Sequence, residues 1–122
     1  MSTLNVANIS DGTDTVETSY VVNGSAKAWV NFNGTGTIAV RESYNVASLT
    51  DTAIGIYKVN LTSSMSNADY SNVSGSLSMV FSQATCQDIS TASSVGIKIQ
   101  DGAASTFIDA SIVSTHVAGD LA

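Results

Sequence analysis

Residues 25–42 read Ser-Ala-Lys-Ala-Trp-Val-Asn-Phe-Asn-Gly-Thr-Gly-Thr-Ile-Ala-Val-Arg-Glu, and they predict a β-hairpin. Before the central Asn33-Gly34, alternate positions separate into two sets, which are Ala26, Ala28, Val30 and Phe32 against Lys27, Trp29 and Asn31. After it, Ile38 and Val40 alternate with Ala39 and Arg41. A period of two places each set on its own face of a strand. Asn-Gly tolerates the positive φ angles of a tight turn, and Gly36 would allow a bulge where the return strand begins.

The sequence before this hairpin predicts an extended segment followed by a loop. Leu4, Val6 and Ile9 alternate with polar residues, which indicates an edge strand or an arm laid on a neighbouring subunit. Residues 11–18 contain an Asp-Gly turn signal. Residues 20–22, Tyr-Val-Val, predict a short strand that ends at Asn-Gly. We therefore divide the chain into an arm and linker at 1–18 and a β-domain at 19–122.

The sequence after the hairpin predicts further strands. The predicted strands cover residues 44–49, 54–62, 70–79 and 95–99, with a return strand at 107–117 after the Asp101-Gly102 turn. We expect a turn at 49–52, a possible bend at Gly75, a closing segment at Val80-Phe81, and a loop or weak strand at 82–94. Met65 is expected to fold inward.

About eight to ten strands spaced by turn signals predict an all-β fold, namely an antiparallel β-sandwich of jelly-roll-like or similar type. A small β-barrel is the second candidate. No 12-residue segment has a convincing helical stripe.

The composition limits the function classes. Charged residues are 11% of the 122 residues, well below the roughly 25% of an average soluble domain, whereas Ser and Thr total 33. A surface with so few charges is either covered by other copies of the chain or kept soluble by Ser, Thr and Asn. The net charge of −6 and four scattered basic residues argue against nucleic-acid binding. No apolar run is long enough to insert into a membrane. Cys86 is the only cysteine, so no intrachain disulfide can form, and this fits assembly in a reducing cytoplasm.

Few residues form a pattern that indicates catalysis or metal binding. His116 is the only histidine; a Ser-His-Asp arrangement would need it together with Asp109 or Asp120, and no nucleophile-elbow motif is present. Asp11 and Asp14 lack the spacing of an EF-hand and are more typical of an acidic turn. We therefore predict a non-enzymatic protein without catalytic residues, metal or cofactor; an ion held on a symmetry axis by several copies stays open.

The chain resembles a domain of tail-fibre-like virion structural proteins of tailed phages, of the marine and cyanobacterial type. The residues that carry the resemblance are 26–41 within the hairpin, Tyr57 to Thr62, Met65, Asn67 to Val73, and the opening Met1 to Val6. The match covers about residues 1–75 and is loose beyond them. The resemblance implies a homotrimer assembled in the host cytoplasm into the virion, other tail or capsid proteins as partners, and a role in host-surface attachment, with a host glycan as a possible ligand. Capsid decoration, as a head fibre, is the alternative within this class, and a free carbohydrate-binding module is the alternative outside it.

Two groups of residues are candidates for contact with partners. Leu4, Val6 and Ile9 would form the assembly arm. Trp29, with Lys27 and Asn31 on its face of the strand, would anchor a subunit interface or stack on a ligand. The other interpretation is that Trp29 belongs to a second buried face, and we favour burial or subunit contact over ligand stacking because Trp is mostly buried on average.

Overall fold

A computed structural model describes the chain over residues 1–77, 82–86, 89–102 and 106–122. Ten strands and one short helix lie in these ranges: β1 (Asn8–Ser10), β2 (Thr15–Glu17), α1 (Thr18–Gly24), β3 (Ala28–Asn33), β4 (Ala39–Tyr44), β5 (Val46–Ala53), β6 (Ile56–Leu61), β7 (Ser71–Leu77), β8 (Ser82–Cys86), β9 (Ser94–Asp101) and β10 (Ile112–Ala118). The structure is mostly antiparallel sheet, which confirms the predicted all-β class.

The strands form one small sheet and two larger ones. β1 pairs with β2, while the remaining strands form two four-stranded sheets. We call the sheet with strand order β4-β3-β10-β7 sheet I, and the sheet with order β5-β6-β9-β8 sheet II. The chain passes from one large sheet to the other between β4 and β5, β6 and β7, β7 and β8, and β9 and β10. Consecutive strands such as β4 and β5 are thereby placed in different sheets, and distant strands such as β3 and β10 become neighbours.

The buried side chains of both large sheets belong to one hydrophobic cluster. Its members are Ala28, Val30, Phe32, Tyr57, Val59, Leu61, Met65, Tyr70, Val95, Ile97, Ile99, Ala110, Val113 and Val117. The clearest sequence alternation produces this cluster, since alternate residues of β3 and β6 are buried and their neighbours are half-buried. Burial of these apolar side chains is the main source of stability in such a fold.

The central hairpin is confirmed, but its turn differs from the prediction. β3 and β4 pair as expected, whereas the connection is the five-residue segment 34–38 and Gly36 has the positive φ. Asn33 uses its side chain to hydrogen-bond Thr35, and Gly34 is buried, donating its N–H to the Ala110 carbonyl 2.9 Å away. Gly34 is therefore held by its contact with Ala110, and the chain reverses direction at Gly36 rather than at Asn33-Gly34. The bulge lies between Asn31 and Phe32, away from Gly36.

The predicted strand from Tyr44 to Leu49 is split at Asn45. This residue has φ of 57° and separates β4 in sheet I from β5 in sheet II. The predicted turn at 49–52 is wrong, because these residues lie inside β5. Thr suits a strand, and the reversal occurs instead next to Gly55, whose φ is 66°.

The predicted strand at residues 20–22 is wrong, because these residues lie in α1. Tyr and Val favour strands, but a strand must find a partner for its backbone groups. Residues 20–22 belong to none of the three sheets, and in the exposed helix α1 the backbone groups without an intrahelical partner can bond to water.

The predictions for the second half are confirmed in part. β9 forms as expected, but β10 does not return beside it, because β9 lies in sheet II and β10 in sheet I. A local reversal does occur: the amide of Asp101 donates to the Thr106 carbonyl, and Phe107 bridges Gln100. Part of the predicted loop at 82–94 is strand β8.

Smaller predictions in this region have mixed outcomes. Met65 folds inward as predicted, with 1% of its surface exposed. β7 runs through Gly75 without a break. Val80-Phe81, Gln87-Asp88 and 103–105 lie outside the described residues. In the part of the chain that is described, no helix has the length and apolar character needed to cross a membrane.

Candidate functional site

Trp29 lies in the middle of a row of side chains that crosses the outer face of sheet I. In the strand register it is opposite Tyr44 of β4 on one side and His116 of β10 on the other. His116 is in turn opposite Val73 of β7. Directly paired residues of antiparallel strands point to the same face, so these four side chains form one row across four strands. We call it the aromatic row.

Much of the aromatic row is open to solvent. Tyr44 is 61% exposed and Val73 is 74% exposed, while Trp29 is half-buried and His116 is exposed. The rings of Trp29 and His116 have centroids 6.5 Å apart and planes inclined by 21°. The row therefore combines an aromatic centre with two exposed ends, and the interpretation of Trp29 as part of a second buried face does not fit its surroundings in this chain.

The two other residues predicted beside Trp29 are engaged in structural contacts. The Lys27 ammonium donates to the carbonyl oxygens of Val22 and Ser25, which ties the end of α1 to the start of β3. The Asn31 side-chain oxygen accepts a hydrogen bond of 3.2 Å from Arg41. Arg41 also donates to the Ser111 carbonyl 2.6 Å away. Lys27 and Asn31 thus lie near Trp29, but the Lys27 ammonium and the Asn31 side-chain oxygen already have partners within the chain.

A cleft lies at each end of the aromatic row. The larger, about 430 Å³, is lined by Ser25, Ala26, Lys27, Tyr44, Asn45, Thr62, Ser63 and Leu121. The smaller, about 200 Å³, is lined by Gly24, Ala26, Ser71, Val73, His116, Val117 and Ala118. Tyr44 belongs to the first and His116 to the second, and Ala26 lines both. The row and the two clefts are therefore contiguous, and they lie where α1 joins the sheets.

The larger cleft has a rigid polar wall. Asn45 donates from its side-chain nitrogen to the carbonyls of Lys27 and Ser63, at 3.0 Å each, and accepts from the Ser63 amide at 2.7 Å. These bonds hold the corner between β4 and β5, and with it the backbone of the adjacent Tyr44. The hydroxyls of Thr62 and Ser63 line the same cleft.

The predicted assembly residues lie in a segment whose apolar side chains are exposed. Leu4, Val6 and Ile9 are 81%, 38% and 46% exposed. With Val21 and Val22 of α1 they line a cleft of about 350 Å³. The first buried side chain along the chain is Ala28. We call residues 1–24 the arm; the predicted domain boundary after residue 18 stays a prediction.

The arm nevertheless has internal structure. The Thr18 hydroxyl donates to the carbonyls of Val6 and Ala7, and the Thr18 amide donates to Ala7. Asp11 accepts hydrogen bonds from the amides of Thr13 and Asp14, which lower the pKa of its carboxyl. Asp11 therefore closes the β1–β2 turn with its own side chain. No cluster of three potential metal-ligating side chains occurs among the described residues.

Asp109, the first acid considered for a hydrolase arrangement, is engaged with Tyr57 and Gly55. Asp109 accepts hydrogen bonds from the Tyr57 hydroxyl at 2.7 Å and from the Gly55 amide at 2.8 Å. The Tyr57 hydroxyl also lies 2.8 Å from the Gly34 carbonyl oxygen. His116 lies instead against Trp29. Asp109 therefore connects the β5–β6 turn to the core, and it does not orient the histidine.

Sequence reasoning identified Trp29 but missed its neighbours Tyr44 and His116 as parts of one site. The predicted tight turn at Asn33-Gly34 would pair Trp29 with Ile38; the five-residue connection and the bulge after Asn31 place Tyr44 opposite Trp29 instead, so the sequence did not indicate this neighbour. His116 reaches Trp29 only through the pairing of β3 with β10, which joins distant parts of the chain. No local pattern specifies that pairing.

Comparison of the chain with protein-family models, with curated proteins and with solved structures returned no match. Functional conclusions consequently depend on the residues and on the geometry described above.

Proposed function

We propose that this chain is a non-enzymatic structural protein of a phage virion, tail-fibre-like, that assembles as a homotrimer and contributes to host-surface attachment. Its two large sheets would pack as a β-sandwich around the common hydrophobic cluster. The arm would join subunits to one another or to a neighbouring tail protein. The sequence resemblance described above supports the family assignment.

The observation that carries the proposal is the exposure of the arm. Its large apolar side chains are all exposed, and none of α1 is buried. Leaving such side chains in water forgoes roughly 1.5–3 kcal/mol for each one that could be fully buried. A contiguous apolar surface of this kind is typical of a protein–protein contact. Contact with further copies of the chain would cover it, and the low content of charged residues agrees with an extensively covered surface.

Attachment by such an assembly would be multivalent. Each subunit would make a weak contact with the host surface, and many subunits on one particle would raise the overall avidity. This mechanism requires surface groups that recognise a ligand but no catalytic residues.

The direct test is electron cryomicroscopy of purified particles of a phage that encodes this chain. Density for three copies joined through their arms on the tail is the expected result. Density on the capsid surface would instead support the alternative of a capsid-decorating head fibre. Absence of the chain from purified particles would contradict both versions.

A free carbohydrate-binding module is the candidate from another class. The aromatic row on sheet I favours it, because exposed aromatic rings next to hydroxyl-lined clefts are suited to a sugar ligand. A monomer that binds glycans in solution would support this alternative over the virion proposal.

A further inference from the structure

We propose that the aromatic row and its two end clefts form the binding site for an uncharged, extended oligosaccharide. The inference deepens the attachment role proposed above and rests on it for the biological source of the glycan. The site is built from Tyr44, Trp29, His116 and Val73, with the larger cleft beside Tyr44.

The first argument is the chemistry of the side chains that line each surface. Aliphatic side chains line the cleft of the arm, namely Leu4, Val6, Ile9, Val21 and Val22. The outer face of sheet I presents a tyrosine, a tryptophan and a histidine in register. Aliphatic surfaces suit packing against protein. Aromatic rings with one polar atom suit the apolar C–H faces of a sugar while leaving its hydroxyls free to bond.

The second argument is the alternation of rows along the sheet. The next outward-facing row, one pair further along, consists of Glu42, Asn31, Ser114 and Gly75. It is polar and ends at Gly75, which presents no side chain on this face. A face with one aromatic and one polar row is more polar than the core of an obligate subunit interface. It matches a sugar chain, which offers C–H groups and hydroxyls side by side.

The third argument is size. Neighbouring strands lie about 4.8 Å apart, so a row across four strands spans roughly 14 Å, about the length of a trisaccharide. The cleft of about 430 Å³ at the Tyr44 end falls in the range of small-ligand sites. Its Thr62 and Ser63 hydroxyls would bond a terminal sugar. The Asn45 corner fixes the adjacent backbone in advance, which lowers the cost of binding.

The fourth argument is charge, which selects a neutral ligand. Among the described residues, three charged ones lie in or beside the outward-facing rows of sheet I, namely Lys27, Arg41 and Glu42. The Lys27 ammonium is bound to main-chain carbonyls, and Arg41 is bound to Asn31 and Ser111. A single carboxylate, Glu42, stands beside these two cations, so no strong field of either sign attracts a charged polymer. A neutral oligosaccharide is therefore complementary, whereas an acidic one would find its cations already engaged.

Trp29 is the only tryptophan in the sequence, so its fluorescence reports specifically on this site. The full-length protein would first be screened on an array of neutral and acidic oligosaccharides. The best neutral tetrasaccharide would then be titrated while the emission of Trp29 is recorded. We expect a saturable change in Trp29 emission with the neutral probe, and none with acidic probes of equal length.

Variants locate the binding. Tyr44→Ala, at an exposed position, is expected to weaken binding roughly tenfold, the upper end of what one aromatic contact contributes. His116→Ala should weaken it to a similar degree. The control is Ile54→Ala, which removes an exposed side chain at the β5–β6 turn, outside both the arm and sheet I, and should leave binding unchanged. Thermal unfolding of each variant checks that the fold is retained.

The possible contrary results are distinct. Lack of binding to any neutral probe, or binding unaffected by both Tyr44→Ala and His116→Ala, would overturn the site. Protection of Trp29 from a soluble quencher in the free protein would also overturn it, since a neighbouring subunit would then cover the row. An oligomer that binds no glycan would refute this inference but agree with the assembly role. A monomer that binds glycans would support this inference and contradict the assembly role.

Discussion

Tyr57 is the residue whose contacts connect the most distant parts of the fold. Its ring meets Phe32 of β3 edge-on with centroids 5.3 Å apart, and its hydroxyl reaches Gly34 and Asp109. The side chain is fully buried. The three contacts join the central hairpin, strand β6 and the segment before β10. Sequence alternation predicted a strand over residues 54–62, but nothing local in the sequence indicated the partners of the Tyr57 hydroxyl.

Tyr57→Phe removes the one hydroxyl that lies within hydrogen-bond distance of both the Gly34 carbonyl and the Asp109 carboxylate. We expect the free energy of unfolding to fall by about 1–3 kcal/mol, as is typical when a buried partner is lost. Urea denaturation measures this change. Tyr20→Phe is the matched control at an exposed site and should change stability by less than about 0.5 kcal/mol. Equal effects of the two substitutions would show that the hydroxyl contacts do not stabilise the fold.

The same hydroxyl makes stability depend on alkaline pH. Burial, together with the bond to Asp109, raises the pKa of Tyr57 in the folded protein above its ordinary value near 10. The folded state keeps the proton where the unfolded state releases it, so stability is full below about pH 10 and falls as pH rises further. Denaturation curves between about pH 9 and 12 should show this decline, and Tyr57→Phe should make it shallower. Identical slopes for wild type and variant would contradict the assignment.

Substitutions at Gly36 and Gly55 distinguish the cost of a positive φ angle from the cost of a steric clash. Both have φ near +60°, which L-residues adopt at a cost of about 1–2 kcal/mol. A Cβ on Gly55 would lie 2.5 Å from the Ile108 carbonyl oxygen, whereas a Cβ on Gly36 would meet open space. Gly36→Ala should therefore cost about 1 kcal/mol, and Gly55→Ala clearly more. Thermal unfolding compares them, and equal losses would exclude the proposed close approach at Gly55.

At the scale of the elements, Asn45 fixes the angle between β4 and β5. Its left-handed backbone and its three side-chain hydrogen bonds form the corner at which the chain changes sheets. Asn45→Ala would lose the bonds and also strain the backbone, so we expect a loss of about 2–4 kcal/mol. Asn45→Gly loses the bonds alone and should be less damaging by about 1 kcal/mol. If urea denaturation showed that Asn45→Gly destabilises the protein more than Asn45→Ala, the left-handed backbone of residue 45 would not be part of the cost.

The elements also show which parts of the fold the sequence could predict. β3, β6 and β9 were predicted because apolar and polar residues alternate along them; in β3 and β6 this alternation matches one buried face, whereas residues 94–97 of β9 are all buried. α1 was missed because Tyr-Val-Val favours a strand and the absence of a partner strand is a tertiary fact. The assignment of β9 and β10 to different sheets was missed for a related reason: Asp101-Gly102 signals a reversal but does not specify which strand receives the returning chain.

The candidate site was accessible from the sequence only in part. Trp29 was identifiable because it interrupts a polar face with a large ring. The alignment of Tyr44, His116 and Val73 with Trp29 depends on the register of three strand pairs. Two of those pairs join distant segments, and register between distant strands is set by the whole core rather than by local residues.

For the whole molecule, the central claim is that the arm assembles copies of the chain. Val21→Ser and Leu4→Ser each place a polar group on the apolar surface of the arm. Both should shift the population toward monomer while leaving the far-UV spectrum β-rich. Ile54→Ser is the matched control, since Ile54 is 66% exposed but lies far along the chain, at the β5–β6 turn. Its effect on the oligomer should be small.

The most direct measurement is the mass of the full-length protein in solution by sedimentation equilibrium at micromolar concentration. A species of three times the chain mass of 12.5 kDa, dissociated by Val21→Ser but not by Ile54→Ser, is the predicted result. A stable species of 12.5 kDa at all concentrations would contradict the account.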